Sequence, residues 1–321
     1  MALGSFSAGL PSGLKLLRQL TVLLCCLVSP GFAMAGEILL STHLANPLIE
    51  EASGLAASRF REDLLWVIND SGNGPYLYAI ATDGRDLGRA RVAGARNEDW
   101  EDLAAFDLGG RSYLLIADVG DNRRQRRKYT LYVVPEPRRT PLEEGSVLNI
   151  AWRIDFVYPD KPHDCEAVAV DAKRKSVLLL TKRDQPPILF TLPLRPADPQ
   201  TVSKARFLTT LQHIPAPTRH DLKQPYGRFR SQPTALDIDA RGQTAVVLTY
   251  KDAYLFQRRP SQPWVRVFAQ KPLPIHLPLP EKEPGLQQRE ALCFDRSGNS
   301  LYITSEGAGA KLLRVHRPAG Q

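Results

Sequence analysis

The sequence has only two methionines, six histidines and four cysteines, and these scarcities narrow its chemistry. Cys25 and Cys26 lie in an N-terminal apolar run, which leaves Cys165 and Cys293 as the thiols beyond it. Two thiols permit one disulfide but exclude a disulfide-scaffolded fold, and two buried free thiols are the expected state. Beyond residue 35 there is no Gly-x-Ser-x-Gly elbow, His-Glu-x-x-His, phosphate loop or Cys-x-x-Cys pair, so the ordinary hydrolase and metalloprotease routes gain no support. A sustained 3.6-residue apolar periodicity is missing as well, which predicts few helices. Hydrophobic residues at 43% and charged residues at 24% exclude wholesale disorder. The 26 prolines call for many turns and edges, because proline cannot serve in central strands.

The first 35 residues read as a secretory signal. Lys15 and Arg18 precede the apolar run Leu20 to Val28, and Ala33-Met34-Ala35 supplies small residues before Gly36. Cleavage after Ala35 would leave residues 36–321 as one domain with no transmembrane segment, periplasmic or secreted. Neither Cys25 nor Cys26 follows the small residue that a lipoprotein site wants, so no lipid anchor is expected. Loss of Lys15 and Arg18 lowers the formal charge from +8 to +6, a mild excess that solvated Lys and Arg explain.

An internal repeat decides the fold. Ser53-Gly-Leu-Ala-Ala-Ser58, Asp102-Leu-Ala-Ala-Phe-Asp107, Glu166-Ala-Val-Ala-Val-Asp171, Thr234-Ala-Leu-Asp-Ile-Asp239 and Glu290-Ala-Leu-Cys-Phe-Asp295 share a polar start and a short apolar stretch. Each is followed by a turn and a second apolar run, ending at Asp70, Asp118, Lys182, Tyr250 and Glu306. Two such runs form a hairpin, and the apolar runs after each hairpin, including Val147 to Tyr158 and Trp264 to Ala269, complete four strands per unit. Four-stranded units at this period are propeller blades, so the expectation is an all-β, five-bladed β-propeller. The strand at Glu37 to Leu44 is expected to complete the last blade and fasten the ring. A sixth blade would need a hairpin hidden in 120–164 or 183–233, and neither interval has enough alternating sequence for one. Pro272 to Pro284 reads as an extended connector, and Ala216 to Ser231 as an exposed basic and aromatic loop.

Antiparallel pairing sets the start of each inner strand beside the end of its partner, which places Asp102 with Asp118, Glu166 with Lys182, Thr234 with Tyr250 and Glu290 with Glu306 on one face. The same pairing sets Ser53 with Asp70, and Glu51, Glu101, Asp121, Asn122 and Asp164 flank that level. Oxygen-rich rigid rings suit Ca²⁺ better than softer metals, which want Cys or several His, so the candidate ligands are Asp70, Glu101, Asp102, Asp118, Asp121, Glu166, Glu290 and Glu306. The alternative is that these acids cap turns and pair with Arg and Lys. Lys182 and Arg289 are candidates for neutralising the acids, and His163 leaves room for a transition metal. Arg123 and Arg124, in the run Arg123-Arg-Gln-Arg-Arg-Lys128, join Lys182 and Tyr250 as candidate contacts to an anionic ligand. An acidic mouth repels a nucleic-acid backbone, so nucleic acid is not expected.

Trp66-x-x-Asn-Asp-Ser-Gly72, Asp99-Trp-Glu-Asp102, Asp118-x-Gly-Asp-Asn122, Asp164-x-Glu-Ala167 and Ser305-Glu-Gly307 give the chain a pattern that resembles a group of exported bacterial β-propeller proteins. More loosely it is similar to the phytase-like propellers and the five-bladed calcium-activated nucleotidases. The resemblance implies the fold and, by analogy, Ca²⁺ at the channel mouth. Two functions are carried forward: an envelope propeller binding a small anionic ligand, a glycan or an envelope protein, and a calcium-assisted phosphoesterase. A monomer is the expected state. If the signal is real, N-terminal sequencing of the exported protein will begin at Gly36 or within a few residues of it; an intact Met1 on cytoplasmic protein would contradict it.

Overall fold

The computed structural model describes Met1 and residues 34–198 and 200–318. The candidate signal lies outside the described residues except for Met1 and its last two positions, Met34–Ala35, which pair in parallel with Ile275 and His276.

The chain forms five sheets, each built on four antiparallel strands, arranged as a five-bladed β-propeller. The inner strands of blades 1 to 5 are Ala52–Ala57, Trp100–Leu108, Cys165–Asp171, Pro233–Ile238 and Arg289–Phe294. Blade 5 is closed as the sequence predicts: Ile38–His43 runs antiparallel to Lys311–His316, with Ile38 opposite Val315 and His43 opposite Lys311. Ring closure buries the apolar faces of neighbouring blades against each other. The last of these interfaces joins Leu312 and Cys293 of blade 5 to Leu55 and Val67 of blade 1. Cys165 and Cys293 are both buried and unpaired.

Three stretches depart from the sequence-based expectation. Trp264–Phe268 is a short helix, because Trp264, Val267 and Phe268 turn one apolar side inward. Five residues are too few for that periodicity to register in a sequence. The outer strand of blade 4 is instead Leu273–His276, inside the proline-rich connector. There Pro274 lies opposite Tyr254 in an outer strand, where a missing N–H is tolerated. Val147–Asn149 also leaves its expected blade and pairs in parallel with Arg91–Ala93 of blade 1.

The feature that fixes the centre is a β-bulge at the entry of every inner strand. Pairing skips one residue between Ala52 and Gly54, Trp100 and Asp102, Cys165 and Ala167, Pro233 and Ala235, and Arg289 and Ala291. The skipped residues are therefore Ser53, Glu101, Glu166, Thr234 and Glu290. In blade 2 this differs by one from the repeat read in the sequence: Glu101 holds the ring position, and Asp102 falls at the level of Gly54, Ala167, Ala235 and Ala291. The space there is tight, since a Cβ on Gly54 would stand 2.7 Å from the Leu103 nitrogen.

Asp102 is consequently a structural tie. Its Oδ1 accepts from the backbone N–H of Leu103 (2.8 Å), and its Oδ2 from those of Val168 (2.7 Å) and Leu236 (3.2 Å), linking blades 2, 3 and 4. Asp237 does the same between blades 4 and 5, its Oδ2 accepting from Phe294 N–H at 2.8 Å. Burial pushes the Asp102 carboxyl well above the usual range, against the pull of the three N–H donors. Asp102→Ala would orphan two buried donors from neighbouring blades, an expected loss of about 3 kcal/mol read as a lowered melting temperature. An unchanged melting temperature would show that the tie carries no stability.

Candidate functional site

The bulge leaves one residue per blade without a ladder partner and turns it toward the mouth of the channel. In two blades that residue is a hydroxyl used internally. Ser53 Oγ donates to the Trp100 carbonyl and Thr234 Oγ1 to the Arg289 carbonyl, each at 2.8 Å, stitching a blade to the next. In the other three it is a glutamate, and Glu101, Glu166 and Glu290 are all buried. Beside them, at the ends of the partner strands, stand Asp70, Lys182, Tyr250 and Glu306.

One half of this mouth is neutralised from within. Lys182 Nζ lies 2.8 Å from Glu166 Oε2, 3.7 Å from Glu290 Oε1 and 5.2 Å from the centre of the Tyr250 ring. Tyr250 donates its hydroxyl to Glu290 Oε1, and Glu306 accepts from Gln288 Nε2 at 2.6 Å. Burial alone would lower the Lys182 pKa, but Glu166 and Glu290 outweigh it and hold the ammonium well above its ordinary range. Burial raises Glu166 and Glu290 to about 7 despite Lys182.

The other half has no such partner. Asp70, Asp99 and Glu101 each offer a carboxylate oxygen within 4.8 Å of the other two, as do Glu101, Asp164 and Glu166. The second trio is already served. Arg183 Nε donates to Asp164 Oδ2, the Asp121 N–H donates to Asp164 Oδ1 at 2.9 Å, and Lys182 holds Glu166. Among the described residues no base forms an ion pair with Asp70, Asp99 or Glu101. Glu101 is 2% exposed, and its Oε1 has no hydrogen-bond partner. The backbone comes close here: a Cβ on Gly120 would lie 2.1 Å from Glu101 Oε1 and 2.5 Å from Asp99 Oδ2, so a larger residue would push these carboxylates aside. Burial raises Asp70 to about 6 and Asp99 to about 7, and pushes Glu101 well above the carboxylate range, with Glu166 and Asp70 adding to the last. Buried carboxylate groups of this kind could hold a metal ion.

Three of the acids expected in the mouth are committed elsewhere. Asp102 is the central tie described above. Asp118 accepts from the N–H groups of Glu98 and Asp99 and pairs with Arg126 at 2.8 Å. Asp121 closes the basic loop, accepting from the N–H groups of Gln125 and Arg126 (2.8 Å each) and from the Tyr129 hydroxyl (2.9 Å). His163 points both ring nitrogens at carboxylates, Asp184 at 2.8 Å and Asp160 at 3.1 Å. Arg289 donates to the carbonyls of Lys251 and Pro278 rather than to the mouth. Asp164, expected at this level, and Asp99, from the acidic stretch 97–102, belong to the oxygen cluster although neither is among the candidate ligands read from the sequence.

Next to Asp99 opens a cleft of about 470 Å³, lined by Ser71, Glu98, Asn122, Arg123, Gln125 and Arg126 among others. Arg126 is engaged with Asp118 and the Gly120 carbonyl, and Arg124 faces Asp184 at 3.9 Å. Arg123 is exposed on this cleft and forms no ion pair among the described residues.

No protein-family model matches the chain, and no curated protein does. Among solved structures it is similar to a gluconolactonase from Xanthomonas campestris, with 14% identity over 83% of this chain and 72% of that one, TM-score 0.44. It is also similar to a luciferin-regenerating enzyme, with 11% identity over 87% of this chain and 95% of that one, TM-score 0.42. At these values no activity or residue role is carried across. The looser likeness to phytase-like propellers and calcium-activated nucleotidases gains no support from them.

Acids whose pKa is higher folded than unfolded bind more protons in the native state, so stability falls as pH rises between the two values. For Glu166, Glu290, Asp70 and Asp99 that window runs from the ordinary carboxylate range near 4 up to about 7. The melting temperature of protein kept in a chelator should therefore decline by several degrees between about pH 5 and 7.5. A flat or rising profile would mean that the mouth acids are relieved in some other way.

Proposed function

We propose that the protein is an exported β-propeller of the cell envelope that binds Ca²⁺ at the mouth of its channel and, beside it, a small anionic ligand. The observation that carries the reading is Glu101, a buried carboxylate with a partnerless oxygen between Asp70 and Asp99. Three carboxylates with no nitrogen or sulfur donor suit a hard cation, and calcium tolerates the irregular ligand sets that carbonyls, carboxylates and water provide. A cation there would supply the positive charge that Lys182 and Arg183 supply next door. Arg123, on the cleft that runs up to Asp99, gives an anion its second contact.

The phosphoesterase reading asks the cation to polarise a phosphoryl oxygen while Arg123, Arg124 and Lys182 neutralise the substrate. Lys182 is already bound to Glu166 and Glu290, and Arg124 faces Asp184. That commitment favours binding over turnover, and a screen of phosphomonoesters and phosphodiesters in the presence of Ca²⁺ separates the two.

A ligand that binds the folded state alone stabilises it by about 2.7 kcal/mol at a hundredfold excess over its Kd. Ca²⁺ should thus raise the melting temperature by several degrees at pH 7.5. Glu101→Gln should abolish the rise, whereas Glu290→Gln, in the half that Lys182 serves, should keep most of it. A wild type indifferent to Ca²⁺, or a Glu101→Gln protein that responds fully, would overturn the site.

A further inference from the structure

The loop between blades 3 and 4 is built in a way that its own folding does not require. It stands on the mouth side of the ring, because it leads into the entry of the Pro233–Ile238 strand and because Lys251, next to Tyr250, reaches into it. Two single turns, Asp221–Lys223 and Gly227–Phe229, are clamped back to back. The clamp is Asp221, the only acid between Gln212 and Gln232. Its carboxylate accepts from Thr218 N–H (2.8 Å) and Thr218 Oγ1 (2.6 Å) and pairs with Lys251 (2.9 Å) and Arg230 (3.1 Å). Arg230 in turn holds Glu281 at 2.6 Å. A Cβ on Gly227 would stand 1.7 Å from the Asp221 carbonyl oxygen, so only glycine lets the turns close.

This stiff frame displays apolar side chains to water. Leu222 is 60% exposed and Tyr226 81%, and Tyr226 sits in the left-handed region at φ +56°, a conformation that a bulky residue adopts at a cost. Around them Arg219, Lys223 and Arg228 are exposed and form no ion pairs among the described residues. The one acid of the loop is buried and neutralised, the mouth glutamates Glu101, Glu166 and Glu290 are buried and Glu306 half-buried, and Glu281 beside the loop is paired with Arg230. An aliphatic side chain, an aromatic with a polar tip and three bases on a rigid tip form the combination that suits a membrane interface with anionic headgroups. A polysaccharide would use the tyrosine and the bases but would leave Leu222 without a role.

We infer that this loop docks the protein on an anionic phospholipid surface, with Leu222 and Tyr226 entering the headgroup layer and Arg219, Lys223 and Arg228 meeting the phosphates. The inference does not depend on the cation site, and its test can be run in a chelator. The purified protein should co-sediment with phosphatidylethanolamine vesicles containing phosphatidylglycerol, not with pure phosphatidylcholine, and the binding should weaken with added salt. The Leu222→Ser, Tyr226→Ser double variant should lose roughly tenfold or more in vesicle affinity. Its Ca²⁺-induced shift in melting temperature should be retained, which separates this surface from the mouth. Leu222→Trp, an exchange on an exposed position, should bind at least as tightly and show a blue-shifted emission on the anionic vesicles. No binding to anionic vesicles, equal binding by the double variant, or an unshifted Leu222→Trp emission would overturn the inference. So would capture by a soluble anionic polysaccharide with no capture by vesicles.

Discussion

Everything at the mouth depends on one backbone irregularity repeated five times, the bulge at the entry of each inner strand. A regular strand alternates its side chains between the two faces of the blade, and neither face is the channel. The extra residue escapes that alternation and has no opposite number in the partner strand. Its side chain is thereby free either to tie blades together or to serve a ligand. Ser53 and Thr234 take the first course, each bonding a carbonyl of the next blade. Glu101, Glu166 and Glu290 instead stand buried at the mouth, the last two held by Lys182. The residue after the bulge must be small where inner strands abut, and Asp102 breaks that rule in blade 2, with three backbone N–H groups accommodating its carboxylate.

That exception also explains where the sequence was legible and where it was not. The apolar pattern and its turns repeat strongly enough to show blade number and ring closure, because each hairpin must bury the same faces. Blade 2 misleads by one residue. Its hairpin strands, Trp100–Leu108 and Arg111–Asp118, are longer than those of the other blades, yet the count from Asp102 to Asp118 happens to equal the interval in blades 3, 4 and 5. Since side chains alternate, a slip of one exchanges the mouth residue Glu101 for the buried tie Asp102. Asp118 and Asp121 look like ligands for a similar reason: acidic turn residues are spelled alike whether they meet a cation, an arginine or backbone N–H groups. Only the partners distinguish them, and the partners, Arg126 and the loop 123–128, lie elsewhere on the strand or across the turn.

The division of charge inside the mouth follows from the partners as well. Two carboxylates about 5 Å apart repel by about 3 kcal/mol at an effective dielectric near 20, so the crowding cannot stay uncompensated. In blade 3 it is met by basic residues. Lys182 serves Glu166 and Glu290, and Arg183 serves Asp164. The equivalent position in blade 2 is Val119, which brings no charge, and Arg126 turns to Asp118 instead. Asp70, Asp99 and Glu101 are left to be relieved by protons or by a cation.

Protons and a cation are competitors for the same oxygens, and this gives the uncompensated half its meaning. With pKa values raised to about 6 and 7, Asp70 and Asp99 take up protons near neutral pH, and burial pushes Glu101 well above the carboxylate range as well. A binding cation must displace those protons, so its apparent affinity rises with pH while the stability of the ion-free protein falls. Val119 is packed in the apolar core between blades 2 and 3, so no base stands where Lys182 stands in the next blade. Gly120 points the same way. Any larger residue would press on Glu101 Oε1 and Asp99 Oδ2 and shift both carboxylates. Positions 119 and 120 thus leave this half of the mouth without the two bases, Lys182 and Arg183, that neutralise the acids one blade away.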